Sequence, residues 1–302
     1  MDVAKDIFVI SDLHIGDGGP RDNFGHADSD RPRQIMAFLD YVEREKGELI
    51  IAGDMLEFWQ ASFSKVIIHN LPLLDRLANL DATYVLGNHD ADLLHFVGRD
   101  LMTHPLLKSI TGPITRTIGG KSFRFMHGHE VDPFNVGDTP SWGRMMAIFA
   151  GICEDKVGSP MLGNDPLESL LTRIGEWLLK KAANAYAAAK GTVTKSTKEE
   201  HTPAQNPDRA AAMLGMYAAD RQASGYDVLI VGHTHQPGRI EDWYFNTGSW
   251  ATTNNNFVRI TRDGEAQVFD WVDGQPKTHD TVLSLPEMPQ LTKTVRSGGD
   301  AV

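Results

Sequence analysis

The chain has 302 residues, 41% hydrophobic and 23% charged, a composition that excludes disorder throughout and suits one large domain or two modest ones. Twenty-nine Lys and Arg against 40 Asp and Glu give a formal charge of −11, which repels a nucleic-acid backbone, and the lone Cys153 excludes an internal disulfide or a cysteine-based zinc site. No stretch reaches the roughly 18 unbroken apolar residues of a membrane span, and Met1–Ile10 sets acids and a lysine around the short run IFVI, so the expectation is a cytoplasmic protein without a signal peptide.

Lys5–Ile10 is a compact apolar run ending at Ser11-Asp12, and the helical spacing of Ile35, Phe38, Leu39 and Val42 predicts a helix over Arg31–Glu45. Leu49–Ala52 runs into Gly53-Asp54, a Leu-rich helical stretch follows over Leu71–Leu80, and Thr83–Leu86 runs into Gly87-Asn88. Ser122–Met126 ends at His127-Gly128 and Val228–Val231 at Gly232-His233. Five apolar runs thus deliver polar residues at their carboxyl ends, the edge where open α/β sheets bind ligands. Residues 133–226 hold no convincing strand. A helix opening at Asp165-Pro166-Leu167-Glu168 carries an N-cap acid and N1 proline, with Leu167, Leu170, Leu171, Ile174 and Leu178 on one face. Lys190–Gln205 has loop composition, and a second helix starts near Asn206-Pro207. Short β-like runs, Trp243–Asn246, Phe257–Thr261 and Gln267–Val272, close the pattern before a tail beyond Thr281. These boundaries divide the chain into a core of 1–132 and 227–281, a helical insertion of 133–226 and a flexible tail of 282–302.

The polar groups at the strand ends are Asp12-Leu13-His14, Gly53-Asp54-Met55-Leu56-Glu57, Gly87-Asn88-His89-Asp90, His127-Gly128-His129 and Gly232-His233-Thr234-His235. A two-residue spacing places both members of Asp12/His14, and of His233/His235, on one side of an extended segment, where they can converge on one ion. Carboxylate, imidazole and amide oxygen are donors for Mn²⁺, Fe²⁺ or Zn²⁺; two such ions are expected, with Mn²⁺ favoured. Seven groups exceed the needs of one ion. With one carboxylate bridging, they suffice for two ions roughly 3.5–4 Å apart, which can activate a water and stabilise in-line displacement at phosphorus.

The ordered set D-x-H, G-D-x-x-(D/E), G-N-H-D, H-G and G-H-x-H, with Asn246-Thr247-Gly248-Ser249 after it, resembles the calcineurin-like metallophosphoesterase superfamily. The resemblance implies an α/β fold of two mixed β-sheets packed face to face with flanking helices. It also implies that Asp12, His14 and His235 hold one metal, that Asn88, His127 and His233 hold the other, and that Asp54 bridges. His89 becomes the substrate-facing general acid or transition-state stabiliser, oriented by Glu57, a position where the family usually has Asp.

Within the superfamily, the length, the apolar insertion after H-G and the run Gly232-His233-Thr234-His235-Gln236-Pro237 resemble the UDP-2,3-diacylglucosamine pyrophosphatases of lipid A synthesis. Their best-known branch carries Arg where this chain has His89 and Asp where it has His129. The resemblance implies a small-molecule or lipid-linked phosphoester substrate such as UDP-2,3-diacylglucosamine and a cap that receives acyl chains; the apolar face of the helix at 167–186 reads as packed on the main domain in preference to a peripheral contact with the inner face of the membrane. A phosphodiesterase or phosphatase of broader specificity and a non-catalytic scaffold are the competing readings; oligomeric state is open. His129 fits a solvated position or a substrate contact equally. Arg99 and Arg144 are candidates for phosphate contact, although solvated arginines are commoner, and His26, His69, His95, His104, His201 and His279 read as surface residues.

Overall fold

The computed structural model describes residues 5–19, 22, 24–26, 29–96, 104–132, 207–251 and 255–283. The apolar runs become the parallel centres of two sheets. In the first, β1 (Ile7–Ile10), β2 (Glu48–Ala52), β3 (Thr83–Val85) and β4 (Ile110–Thr111) lie parallel. β10 (Asn255–Ile260) pairs antiparallel with β1, and β11 (Ala266–Val272) and β12 (Gln275–Thr278) complete seven strands in the order β12-β11-β10-β1-β2-β3-β4. The second sheet has five strands: β5 (Ile114–Ile118), β6 (Lys121–Phe125), β7 (Val228–Val231), β9 (Tyr244–Asn246) and β8 (Gly238–Ile240), with β6, β7 and β9 parallel and the outer two antiparallel.

Burial on both faces explains why the central strands read as continuous apolar runs rather than alternating ones. Ile7, Val9, Ile50 and Ala52 meet Phe123, Phe125, Val228 and Ile230 in the layer between the sheets. Phe8, Ile10, Leu49 and Ile51, on the opposite pleat, pack under the helices α1 (Arg31–Arg44), α2 (Phe63–His69), α3 (Leu71–Asn79) and α4 (Pro105–Lys108). In α1 the predicted face is buried: Ile35, Phe38, Leu39 and Val42. Phe38 sits among Trp250, Phe257 and Trp271, with ring centroids 4.9–5.5 Å away. Trp250 in turn donates its backbone N–H to Asp12 O at 3.0 Å, so this aromatic cluster anchors the loop that carries the first motif.

The helix expected near Pro207 is α5 (Pro207–Ser224). It packs Met213 and Tyr217 onto the outer face of the second sheet, against Met126, Leu229, Val231 and Tyr244. These contacts make α5 a fourth layer of the core fold, so the part of the 133–226 insertion from 207 onward packs with the core. At the other end, Leu283 donates to Arg239 O at 2.8 Å and Arg239 to Thr281 O at 3.1 Å, which extends ordered pairing past the tail boundary drawn at 282. The helix expected to open at Asp165, the loop at 190–205, Arg99, Arg144, His201 and the rest of the tail lie outside the described residues. Among the described residues, no helix is long and apolar enough to cross a membrane.

Candidate metal centre

The loops after β1, β2, β3, β6 and β7 open on the same edge of the two sheets and bring the motif residues together. Their backbone differs from the extended segments expected. Asp12, His14, Asp54, His233 and His235 all adopt left-handed conformations, with φ between 48° and 66°. The side chains therefore converge through tight turns rather than through strand alternation. Such backbone is uncommon outside glycine, although Asp and His tolerate it better than most residues. It is held here by Asp12 N–H on Gly53 O (3.1 Å), His14 N–H on Asp54 O (3.0 Å) and His233 N–H on Asp12 Oδ2 (2.9 Å). Gly232 allows the last contact, because a Cβ there would overlap Ser11 and the Asp12 carboxylate.

Each of the two central carboxylates is divided between a structural and an inward oxygen. Asp12 Oδ2 accepts from Ser11 Oγ as well as from His233 N–H, while Oδ1 lies 3.1 Å from His235 Nε2, 3.8 Å from His14 Nε2 and 3.9 Å from His127 Nε2. Asp54 Oδ1 accepts the His89 N–H at 2.8 Å, and Oδ2 lies 3.1 Å from His127 Nε2 and 3.8 Å from His14 Nε2. Asp54 thus stands between the groups on either side, the position that a bridging ligand requires.

The imidazoles are held so that lone pairs point inward. His127 donates Nδ1–H to the Ala52 carbonyl at 2.9 Å, since a carbonyl can only accept; its buried Nε2 has no hydrogen-bond partner among the described residues. His14 donates Nδ1–H to Glu57 Oε2 at 3.2 Å, which turns its Nε2 toward His235 Nε2, also 3.2 Å away. His233 Nε2 meets Asp132 Oδ2 at 2.7 Å. The Asn88 side-chain oxygen is buried without a hydrogen-bond partner among the described residues. Burial without a partner is rare for polar atoms. Here the orphaned atoms, one imidazole nitrogen and one amide oxygen, are oxygen- and nitrogen-donor types that suit divalent ions, and no thiolate competes.

Charge tells the same story. Burial alone favours neutral Asp54 and Asp12, yet the surrounding histidines hold both carboxylates well below the usual range. Burial likewise opposes a charge on His127, but Asp54 and Asp12 push it up to about 10. The carboxylates that cause this shift give the buried site a negative potential, which also attracts cations. Two trios of donors, Asp12/His14/His235 and Asp54/His127/His233, each offer one atom per residue, all within 4.8 Å of one another. The donor set fits divalent ions.

A third trio, His14/Glu57/His89, meets the same distance test but is closed by hydrogen bonds. Glu57 Oε2 receives His89 Nδ1 at 2.6 Å in addition to His14, while Oε1 accepts the Trp59 and Gln60 N–H groups at 2.8 and 3.2 Å. The curl that brings Oε1 back onto the backbone takes up the extra methylene of Glu, so the contact to His89 is made. Against the upward push of burial, His89 and His14 hold Glu57 down to about 2. The His89 ring stacks on Trp59, with centroids 3.7 Å apart and planes at 22°. With Nδ1 engaged, Nε2 is the nitrogen left for a substrate.

Further residues complete the site. Asp90, fully buried, accepts from Met55 N–H (2.8 Å), Gly87 N–H (2.7 Å) and Tyr84 Oη, tying the Asp54 loop to the Asn88 loop. Its only sequence signal is the last letter of G-N-H-D. Asn246 donates to Gly232 O at 2.8 Å and Ser249 Oγ to Asp12 O at 3.0 Å, giving the Asn-Thr-Gly-Ser run a loop-bracing role. His129 lies beside the centre, its ring 5.5 Å from His127; burial pushes it down to about 4, and its Nδ1 has no hydrogen-bond partner among the described residues. Three of the histidines read as surface residues are instead partly buried: His26, His104, which pairs with Asp75, and His279, which pairs with Asp270.

The family model for calcineurin-like phosphoesterases matches residues 5–237, well over half of the chain. Among solved structures, the chain is similar to Vacuolar Protein Sorting 29 from Cryptosporidium parvum, at 13% identity over 92% of this chain and 97% of that one with a TM-score of 0.42. It is also similar to a dimetal phosphatase from Danio rerio, at 13% identity over 90% of this chain and 100% of that one with a TM-score of 0.45. No curated protein matches the sequence. The motif set, the four-layer fold and the family match together establish that the chain belongs to the calcineurin-like phosphoesterase family and is a metal-dependent phosphoester hydrolase.

Proposed function

We propose that the chain hydrolyses a phosphoester or pyrophosphate bond with two divalent ions, one held by Asp12, His14 and His235, the other by Asn88, His127 and His233, with Asp54 shared. The observation that carries this reading is the convergence of Asp12 Oδ1, Asp54 Oδ2, His14 Nε2 and His127 Nε2, each carboxylate oxygen lying within 3.9 Å of both imidazole nitrogens. Bound there, the ions would supply an activated water and neutralise charge on the phosphoryl oxygens. The chain's own groups do the rest. Glu57 fixes the proton of His89 on Nδ1 and Trp59 fixes the plane of its ring. In its doubly protonated form, with Nδ1–H kept on Glu57, His89 can donate the Nε2 proton to a phosphoryl or leaving oxygen.

For the substrate we favour an amphiphilic nucleotide diphosphate of the UDP-2,3-diacylglucosamine type, hydrolysed at the pyrophosphate in the cytoplasm beside the membrane. The Gly232–Pro237 run and the apolar character of the segment inserted after H-G support it. Reception of the acyl chains falls to residues 133–206, outside the described residues. The test compares metal-reconstituted protein on three substrates: an activated aryl phosphodiester, a UDP-sugar and its diacylated form. Preference for the diacylated form by at least tenfold in kcat/KM is expected. Equal efficiency on all three would replace this substrate with a broad phosphodiesterase activity, and no hydrolysis of any would leave a scaffold.

A further inference from the structure

Three histidines of the site rest one ring nitrogen on an acceptor: His14 Nδ1 on the Glu57 carboxylate, His127 Nδ1 on the Ala52 carbonyl, and His233 Nε2 on the Asp132 carboxylate at 2.7 Å. Such partners fix which nitrogen a histidine presents to a metal and raise its basicity. Asp132 belongs to none of the motifs. It is fully buried, five residues beyond His127, at the end of a 3₁₀ turn (His129–Val131). The turn is pinned at several points. Gly128 enters it with φ 119°, its N–H is taken by Glu130 Oε2 at 2.7 Å, and its carbonyl accepts Tyr217 Oη from α5 at 3.1 Å. Asp132 closes the turn by donating its own N–H to His129 O at 3.1 Å. A buried acid is costly unless it is paired, and the turn directs its Oδ2 at the His233 ring.

We propose that Asp132 is a positioning residue for the metal centre: its carboxylate accepts the Nε2 proton of His233 and thereby reserves Nδ1 as the atom that His233 offers to the ion it shares with Asn88 and His127. This rests on the ion assignment made above. Asp132 touches no substrate in this scheme. It acts through His233, so its removal weakens one ion and spares the other.

The experiment is a Mn²⁺ titration of chelated protein, read by the electron paramagnetic resonance of free ion and by the coupled signal of the dinuclear pair. It uses the wild type, Asp132→Ala, Asp132→Asn, His233→Ala and the His233→Ala/Asp132→Ala double variant. Asp132→Ala is expected to weaken one of two ions by about 10–100-fold, the usual cost of losing such a partner, and to leave the other within about twofold. Asp132→Asn, whose amide oxygen still accepts the Nε2 proton, should recover part of the loss, and it carries the test if the alanine variant does not fold. In the His233→Ala background, Asp132→Ala should change nothing further. Wild-type affinity for both ions in Asp132→Ala and Asp132→Asn would overturn the proposal, as would an undiminished additional loss in the His233→Ala background, which would make Asp132 a ligand itself. Uptake of fewer than two ions by the wild type would overturn the ion assignment instead, and the positioning role with it.

Discussion

Replacing Asp90 by Ala tests whether the two central loops are held by one carboxylate. The substitution strips the acceptor from its three closest buried donors, the Met55 and Gly87 N–H groups and Tyr84 Oη, and from the longer Leu56 N–H contact at 3.4 Å. Each buried donor left without a partner costs about 1–3 kcal/mol, and a water entering the vacated space would recover part of that, so a loss of about 3–6 kcal/mol is expected. That is a large fraction of the 5–15 kcal/mol by which ordinary domains are stable. The measurement is urea unfolding at 25 °C in the presence of a chelator, so that ion binding does not contribute, with linear extrapolation for the wild type and the variant. A destabilisation below about 1 kcal/mol would refute the reasoning, because it would mean that the three donors find new partners without cost.

Asp54→Ala should abolish turnover and weaken both ions, since its Oδ2 reaches a histidine of each trio, His127 at 3.1 Å and His14 at 3.8 Å; a variant that keeps two ions and normal turnover would show that the bridge is misassigned. Chelation of the wild type should lower its melting temperature, as ions at 100 times their Kd favour the folded state by about 2.7 kcal/mol; differential scanning calorimetry with and without Mn²⁺ reads this directly. His89→Ala should lower kcat by roughly 10²–10⁴-fold with metal content unchanged, and loss of an ion would identify His89 as a ligand. Replacing residues 133–206 by a short Gly/Ser linker, with α5 retained because Met213 and Tyr217 are buried in the core, should raise KM for a diacylated nucleotide sugar while sparing a small aryl phosphodiester. Equal effects on both would remove the cap from substrate recognition.

The central strands were legible because burial on both faces writes itself as an unbroken apolar run, as in IFVI of β1 and VLIV of β7. Which sheet each run joins was not legible, since β1 and β7 carry the same kind of signal and differ only in distant partners. The two-residue β4, the three-residue β8 and the largely exposed β12 are too short or too polar to announce themselves. At the centre, the motif residues could be read because each follows a strand at a fixed offset. Asp90 and Asp132 could not be given roles, because their partners lie on Met55, Gly87, Tyr84 and His233, up to 101 residues away in the chain. A buried carboxylate that serves backbone amides or a distant imidazole leaves no local pattern. The turn geometry at Asp12 and His233 was misread for a related reason: left-handed backbone there is imposed by contacts between loops, not by the residues' own preference.

That left-handed backbone complicates the usual practice of probing a site with alanine. At positions 12, 14, 54, 233 and 235 an alanine side chain deletes the donor but keeps a Cβ in a conformation that costs an ordinary L-residue roughly 1–2 kcal/mol. Glycine deletes the donor and releases that strain as well. The two replacements are equivalent for chemistry and unequal for folding, so the difference in chelated stability between them reports how much energy the protein stores in the backbone of its own ligand cage. Because hydrogen bonds between the loops hold this backbone, the cost of gathering the donors falls on folding.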